Sequence, residues 1–216
     1  MRWLWIPLAV ALSLPFSASA SIVISELLWS GSDVSTADEW IELSNTGSGT
    51  VSLGGWTLTR LSSGDETDML ILPSSASIGS GGTFLISNND EDDSRLGIQA
   101  DHVTTSVSLS NTQLLIRLYN GPSSGGILMD AVDDGVGAPL AGSNTTPKAS
   151  MERIDLSGSG QLKSNWQTAT TFLNLDDGAA LFGTPGAANG TGPSADAFAD
   201  RKSTRLNSSH QIISYA

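Results

Sequence analysis

Short stretches of alternating apolar and polar residues recur along this chain, with turn residues between them. These stretches predict strands at 22–29, 39–44, 51–60, 69–72, 83–87, 102–109, 113–119, 126–132, 149–155 and 166–173. The segments between them are rich in Gly, Ser, Asn and Asp. Many short strands joined by polar turns are typical of a β-sandwich or barrel, so we predict an all-β domain.

The stretch 39–44 (EWIELS) shows how the alternation assigns faces. Side chains alternate across a strand, so Ile41 and Leu43 point to one face while Trp40 and Glu42 point to the other. We expect the apolar pair to face the interior. The acidic side chains of these segments should lie outside that interior.

In the stretch 51–60, the apolar residues change from one face of the predicted strand to the other. Leu53 has one parity and Trp56 has the opposite one, and the change falls at Gly54 and Gly55. A slip of one residue would turn the apolar set outward, so we predict a bulge or kink at the two glycines. The predicted core is Ile22, Ile24, Ile41, Leu43, Trp56, Leu58, Phe84, Ile86, Leu114, Ile116 and Leu118.

The ends of the chain differ in composition from the 21–190 domain. Residues 1–20 have one basic residue, an apolar run and a small-residue close, which predicts a signal peptide cut after Ala20 and an exported protein. No later segment is apolar enough to span a membrane. We predict a linker at 191–200, and the basic residues 201–216 resemble a non-native read-through tail.

The composition of the chain argues against several kinds of site and partner. The chain has no cysteine, so neither disulfides nor thiolate zinc sites can form. Residues 21–200 hold 22 acidic and six basic residues, a formal charge of −16. Such an acidic surface argues against binding a nucleic-acid backbone, and no nucleic-acid partner is expected.

Nucleophilic catalysis has little support. His102 is the one histidine outside the tail, so a Ser-His-Asp triad would depend on it. The stretch 121–125 (GPSSG) has the nucleophile-elbow spacing around Ser123, but an elbow requires a helix after it. The following segment, 126–132, predicts a strand, so a hairpin turn is the better interpretation.

An acidic loop, 88–95 (NNDEDDSR), invites a calcium interpretation through Asp90, Asp92 and Asp93. Neither EF-hand register supplies both the required glycine and the bidentate glutamate. A solvated acidic turn is the better interpretation, and no cofactor is predicted. Calcium binding stays as the alternative.

Glu26 is the most informative acid because it shares strand parity with Ile24 and Leu28. We expect it to be partly buried and satisfied by backbone N–H groups or by Arg117 or Arg153. The alternative is catalysis or metal ligation, in which Glu26, Glu39 or Glu42 would supply paired carboxylates. A sugar-stacking platform could use Trp29, Trp40, Trp56 and Trp166, but tryptophans at sandwich spacing are usually core.

Four stretches carry a family resemblance. IVISELLW (22–29), DEWIELSN (38–45), LGGWTL (53–58) and GTPGAAN (183–189) resemble, in order, motifs of the lamin tail domain found in nuclear lamins and exported bacterial proteins. SMERID (150–155) also lies where such bacterial domains carry a similar segment. The chain departs from the family at position 25, where Ser25 replaces the usual Asn.

The resemblance covers about 21–190 and implies an immunoglobulin-like β-sandwich. It implies structural roles for Glu26, Trp40, Glu42, Gly54, Gly55, Trp56, Gly183, Pro185 and Gly186. It implies no activity, because fold does not fix function.

We therefore predict a non-catalytic module, exported to the periplasm, cell surface or medium, that binds a surface protein or glycan. The alternative is the N-terminal accessory domain of a longer secreted hydrolase of the nuclease or phosphatase type.

Overall fold

The computed structural model describes residues 22–194, which form β-strands and one short 3-10 helix, Lys163–Asn165. The strands are β1 Ile22–Leu28, β2 Trp40–Asn45, β3 Val51–Ser52, β4 Thr57–Ser62, β5 Asp65–Ile71, β6 Ser77–Ile78, β7 Thr83–Ser87, β8 His102–Val103, β9 Ile116–Tyr119, β10 Leu128–Val132, β11 Lys148–Ala149, β12 Met151–Arg153, β13 Trp166–Thr168 and β14 Leu181–Phe182. The predicted signal peptide, the tail 201–216 and most of the predicted linker lie outside the described residues.

Two large sheets build the fold. One has six strands in the order β13-β12-β1-β2-β7-β8, and the other has four in the order β10-β9-β4-β5. Two small sheets, β11-β14 and β3-β6, lie beside them. The prediction of an all-β, immunoglobulin-like sandwich is confirmed.

The interior between the two large sheets is apolar. It includes every predicted core residue except Trp56, which is half-buried and packs against it. Ile41 and Leu43 are fully enclosed there, as their parity predicts. Each fully buried side chain of this size contributes about 1.5–3 kcal/mol relative to an exposed one.

The six-stranded sheet is covered on its outer face as well. A second apolar cluster there joins Leu28, Trp40 and Leu85 to Leu96, from the segment after β7, and to Leu181, from β14. As a result, β1 and β2 are buried at every residue. Antiparallel strands often leave one face to water, but the central strands of this mixed sheet are covered on both faces.

The glycine pair at 54 and 55 does not form a bulge. It forms a turn that ends β3 and begins β4, which belongs to a different sheet. Gly55 has a φ of +80°, and a Cβ on Gly54 would lie 2.9 Å from the Ser74 carbonyl oxygen. The phase change in the sequence therefore marks a change of sheet, which parity cannot distinguish from a bulge.

Several predicted strands are shorter or divided. Of 102–109, only His102–Val103 forms a strand, and of 166–173, only Trp166–Thr168 does, with Thr171 and Phe172 in isolated bridges. The rest of the first segment crosses the end of the sandwich, where the Leu109 N–H donates to the buried Glu39 at 2.8 Å. Burial of apolar residues there does not require strand pairing. The stretch 149–155 divides at Ser150 into two short strands.

A bulge does occur, in β1 at Ser25. The register with β2 runs Ile24 opposite Leu43 and then Glu26 opposite Glu42, so Ser25 is an extra residue. Because of this extra residue, Glu26 lies on the outer face with Leu28 and not on the inner face with Ile24, so the predicted face shared with Ile24 is wrong. The predicted burial of Glu26 is confirmed.

Candidate functional site

Three glutamates form a row across the outer face of the six-stranded sheet. Glu42 on β2 and Glu152 on β12 both lie directly opposite Glu26 on β1. All three have 0% of their surface exposed. Like charges directly opposite each other on neighbouring strands destabilise a sheet, so this arrangement requires an explanation. We call these residues the glutamate row.

The segment 183–190 lies over the glutamate row and supplies its hydrogen-bond donors. The Thr184 N–H donates to Glu26 Oε1 at 2.9 Å, and the Gly186 N–H donates to Glu42 Oε2 at 2.8 Å. The Gly190 N–H reaches Glu152 Oε1 at 3.3 Å. Each glutamate thus holds a different part of the segment.

Neutral side chains complete the row. Ser150 Oγ donates to Glu26 Oε1, Ser25 Oγ donates to Glu42 Oε1 at 2.7 Å, and Gln167 Nε2 donates to Glu152 Oε2 at 3.0 Å. No basic side chain within residues 22–194 hydrogen-bonds to the row or lies within 4.0 Å of it.

Burial shifts the titration of Glu26 and Glu42. It raises the pKa of Glu26 well above 4.5, and the nearby charges of Glu42 and Glu152 raise it further. Burial likewise raises the pKa of Glu42 to about 7, although its hydrogen bonds to Ser25 and Gly186 oppose the shift. The row therefore favours a partly protonated state at neutral pH.

The predicted arginine partners lie elsewhere. Arg117 pairs with Glu66, and Arg153 pairs with Asp130, so neither satisfies Glu26. The prediction of an arginine partner is wrong because Arg153 lies next to Glu152 in the chain and its side chain takes the other face of the sheet. The backbone N–H alternative matches the observed contact with Thr184.

The glycines and the proline of the 183–189 stretch fit the row closely. A Cβ on Gly183 would lie 3.1 Å from Glu26 Oε1 and 3.2 Å from the Trp40 ring. Pro185 is buried, and Gly186 has a φ of +74°. At Gly186 a larger residue would be strained and would also meet Ile98 at 2.6 Å.

The other predicted site residues are dispersed. Trp29, Trp40 and Trp166 are buried and do not share a surface, which argues against a stacking platform. His102 lies on the edge strand β8, and Ser123 lies in the β9–β10 hairpin turn, as predicted for that stretch. Ser123 Oγ donates to Asp68 and not to His102.

The acidic loop is a solvent-exposed turn. Asp90, Asp92 and Asp93 are exposed, and Asp90 Oδ1 accepts the Asp93 N–H at 3.1 Å. In the described part of the chain, no group of three or more His, Cys, Asp or Glu side chains is placed to hold a metal ion.

We expect millimolar calcium to leave the melting temperature unchanged, because a ligand raises it only by binding the folded state. Differential scanning calorimetry with calcium and with chelator checks this. A calcium-dependent rise that disappears in Asp92→Ala would instead support the calcium alternative.

Sequence reasoning missed Glu152 as a member of the row. The only signal for Glu152, which lies 126 positions after Glu26, is its place in the SMERID stretch. The strand pairing that joins them is formed only in the folded chain.

A comparison with models of known protein families gives a match. A family model described as Lamin Tail Domain matches residues 15–135, more than half of the 216-residue chain. Glu26 and Glu42 lie within the matched range, whereas Glu152 and the segment 183–190 lie beyond it. The comparison with curated proteins finds no match.

Proposed function

We propose that this chain, which belongs to the lamin tail domain family, is a non-catalytic exported module that binds a surface protein or glycan at the bacterial cell surface. The observation that supports this most is the enclosure of the glutamate row. Its carboxylates are the acids that a hydrolase would use, but they contact the chain's own 183–190 segment and no solvent. A general acid or base must reach its substrate.

The binding surface that we propose is a pair of grooves at one end of the sandwich. The larger, of about 710 Å³, lies between the turns 46–48 and 80–82, the loop 154–156 and the residues 187–189. Ser25 and Glu42 also border it, although Glu42 has no exposed surface. The smaller, of about 510 Å³, lies beside β10 and the loop 156–161. Both volumes are in the range of ligand sites.

The two grooves adjoin each other and share polar as well as apolar lining residues, namely Thr46, Arg153 and Leu156. Leu156 lines both of them, and Ile154, on the wall of the larger one, is 57% exposed. Serine, threonine and glycine residues make up most of the remaining lining of the larger groove. This mixture suits a peptide or a saccharide, which presents both apolar faces and hydrogen-bonding groups.

The exported location rests on the sequence of residues 1–20. Within residues 22–194, no helix is long and apolar enough to cross a membrane. Fractionation of cells that produce the chain with and without residues 1–20 tests export.

We expect Ile154→Asp to weaken binding to purified bacterial surface polysaccharide or peptidoglycan by on the order of 10-fold, because one buried isoleucine contributes about 1.5–3 kcal/mol. Binding isotherms measured by co-sedimentation check this. Ile71→Asp is the matched control, since Ile71 is 62% exposed on β5, away from the grooves. Equal loss in both variants, or hydrolase or nuclease turnover by the purified chain, would contradict the proposal.

A further inference from the structure

Hydrogen-bond geometry assigns a proton to Glu26. Thr184 Oγ1 lies 3.1 Å from Glu26 Oε2 and 3.2 Å from Glu152 Oε1. A hydroxyl group has one proton, so Thr184 can donate to only one of these oxygens and must accept from the other. One of the two carboxyl groups therefore carries a proton.

The remaining contacts decide which carboxyl group it is. Glu152 receives the Gly190 N–H on Oε1 and Gln167 Nε2 on Oε2, so both of its oxygens already face donors. Glu26 Oε2 has Thr184 Oγ1 as its one hydrogen-bond contact in the described structure. The consistent arrangement is a protonated Glu26 that donates to Thr184, which in turn donates to an ionised Glu152.

Glu42 keeps its contact with Ser25 in either protonation state, but when ionised it adds a buried negative charge beside the other carboxyl groups of the row. Ser25 Oγ lies 2.7 Å from Glu42 Oε1 and 3.3 Å from the Glu42 carbonyl oxygen. When Glu42 is ionised, the hydroxyl donates to the carboxylate. When Glu42 is neutral, the hydroxyl can accept its proton and donate to the carbonyl instead.

We propose that the segment 183–190 is a pH-sensitive latch on the six-stranded sheet, closed while Glu26 and Glu42 carry protons and loosened when Glu42 releases its proton. The ionisable groups that face it are Glu26 on β1, Glu42 on β2 and Glu152 on β12. The segment itself has no ionisable side chain. This inference rests on the geometry of the row and not on the proposed binding role.

The direction of the effect follows from linkage. The pKa of Glu42 is raised from 4.5 to about 7, so the closed state binds more protons than an open state between these values. Closure is therefore strongest below about pH 4.5 and weakens as the pH rises through about 7. Residues 187–189 line the larger groove, so loosening the latch would also change the shape of that groove.

Hydrogen exchange on the purified full chain tests the latch. After correction for intrinsic chemical exchange, we expect the protection factor of the Gly186 amide to fall on the order of 10- to 100-fold between about pH 5 and about pH 8. Amides in the middle of β2 should change less. A Gly186 protection factor that does not change with pH would overturn the proposal.

Two isosteric substitutions on neighbouring strands give a matched pair. In Glu26→Gln, an N–H replaces the proposed O–H toward Thr184 and every hydrogen bond is kept, so protection of the Thr184 amide should stay within about 3-fold. In Glu152→Gln, the carboxylate that accepts from Thr184 and Gly190 loses its charge, and its new N–H is accepted only if the Gln167 amide turns round, so the same protection should fall more than in Glu26→Gln. Equal effects in the two variants would overturn the proton assignment.

Glu39→Gln separates local loosening from global unfolding. Burial also raises the pKa of Glu39 to about 7, but Glu39 accepts the Leu109 N–H and does not contact the latch. This variant should change how global stability depends on pH. It should leave the pH dependence of the Gly186 protection factor unchanged. If it abolishes the latter, exchange at Gly186 reports global unfolding and the latch is refuted.

Discussion

Replacing Asp130 by alanine is expected to lower the free energy of unfolding by about 3–5 kcal/mol, because it leaves a buried arginine charge without its partner. Asp130 Oδ2 lies 2.6 Å from Arg153 Nη1, and both side chains are almost fully buried. Urea unfolding followed by circular dichroism measures the change.

Backbone groups at the β1 bulge depend on the same pair. The Ile24 N–H donates to Asp130 Oδ2 at 2.8 Å, and the Ile24 carbonyl accepts from Arg153 Nη1 at 3.0 Å. The ion pair thus satisfies Ile24 beyond the point where β12 stops pairing with β1. Removing Asp130 leaves a buried N–H without an acceptor, which adds about 1–3 kcal/mol when it stays unpaired.

Asp92→Ala is the matched control for Asp130→Ala. Asp92 is exposed in the acidic loop, so the change should stay within about 0.5 kcal/mol. An Asp130→Ala loss as small as that of the control would show that Arg153 finds other partners. The Gly158 carbonyl, which already accepts from Arg153 Nη2, would be the first of these.

Trp40→Ala is expected to lower the free energy of unfolding by about 3–5 kcal/mol through the cavity that it leaves. Trp40 is 1% exposed and lies in the second apolar cluster, between the six-stranded sheet and the covering loops. Its indole N–H has no hydrogen-bond partner in residues 22–194, so the loss comes from packing alone. Urea unfolding measures it.

Two other tryptophan variants are expected to lose less stability than Trp40→Ala. Trp40→Phe keeps most of the ring contacts and removes the unpaired N–H, so its loss should be smaller than that of Trp40→Ala. Trp56→Ala should also lose less, because Trp56 is only half-buried against the main interior. If Trp56→Ala lowers the free energy of unfolding more than Trp40→Ala does, the outer cluster stabilises the fold less than its burial indicates.

The two experiments examine different layers of one sheet. Asp130 joins the four-stranded sheet to β1, and Trp40 joins the outer face of the six-stranded sheet to the segment 183–190. The glutamate row lies on that same outer face, so a loss of Trp40 packing should also reduce amide protection in the latch.

The sequence by itself determined the fold class and the interior. Alternation within a strand depends only on local backbone geometry, so Ile41 and Leu43 were assigned correctly from the pattern. The motif stretches also drew attention to Glu26, Glu42 and the 183–189 segment before their contacts were known.

Only the tertiary structure decided where the acids point and what covers them. The alternation of side chains along β1 does not reveal that Ser25 is an extra residue. It also does not show that β1 pairs with a strand as distant in the chain as β12. Nor can it show that a loop covers the opposite face, since that depends on contacts between distant residues. Local alternation therefore placed the apolar side chains, while strand pairing and loop packing placed the glutamate row in a buried site.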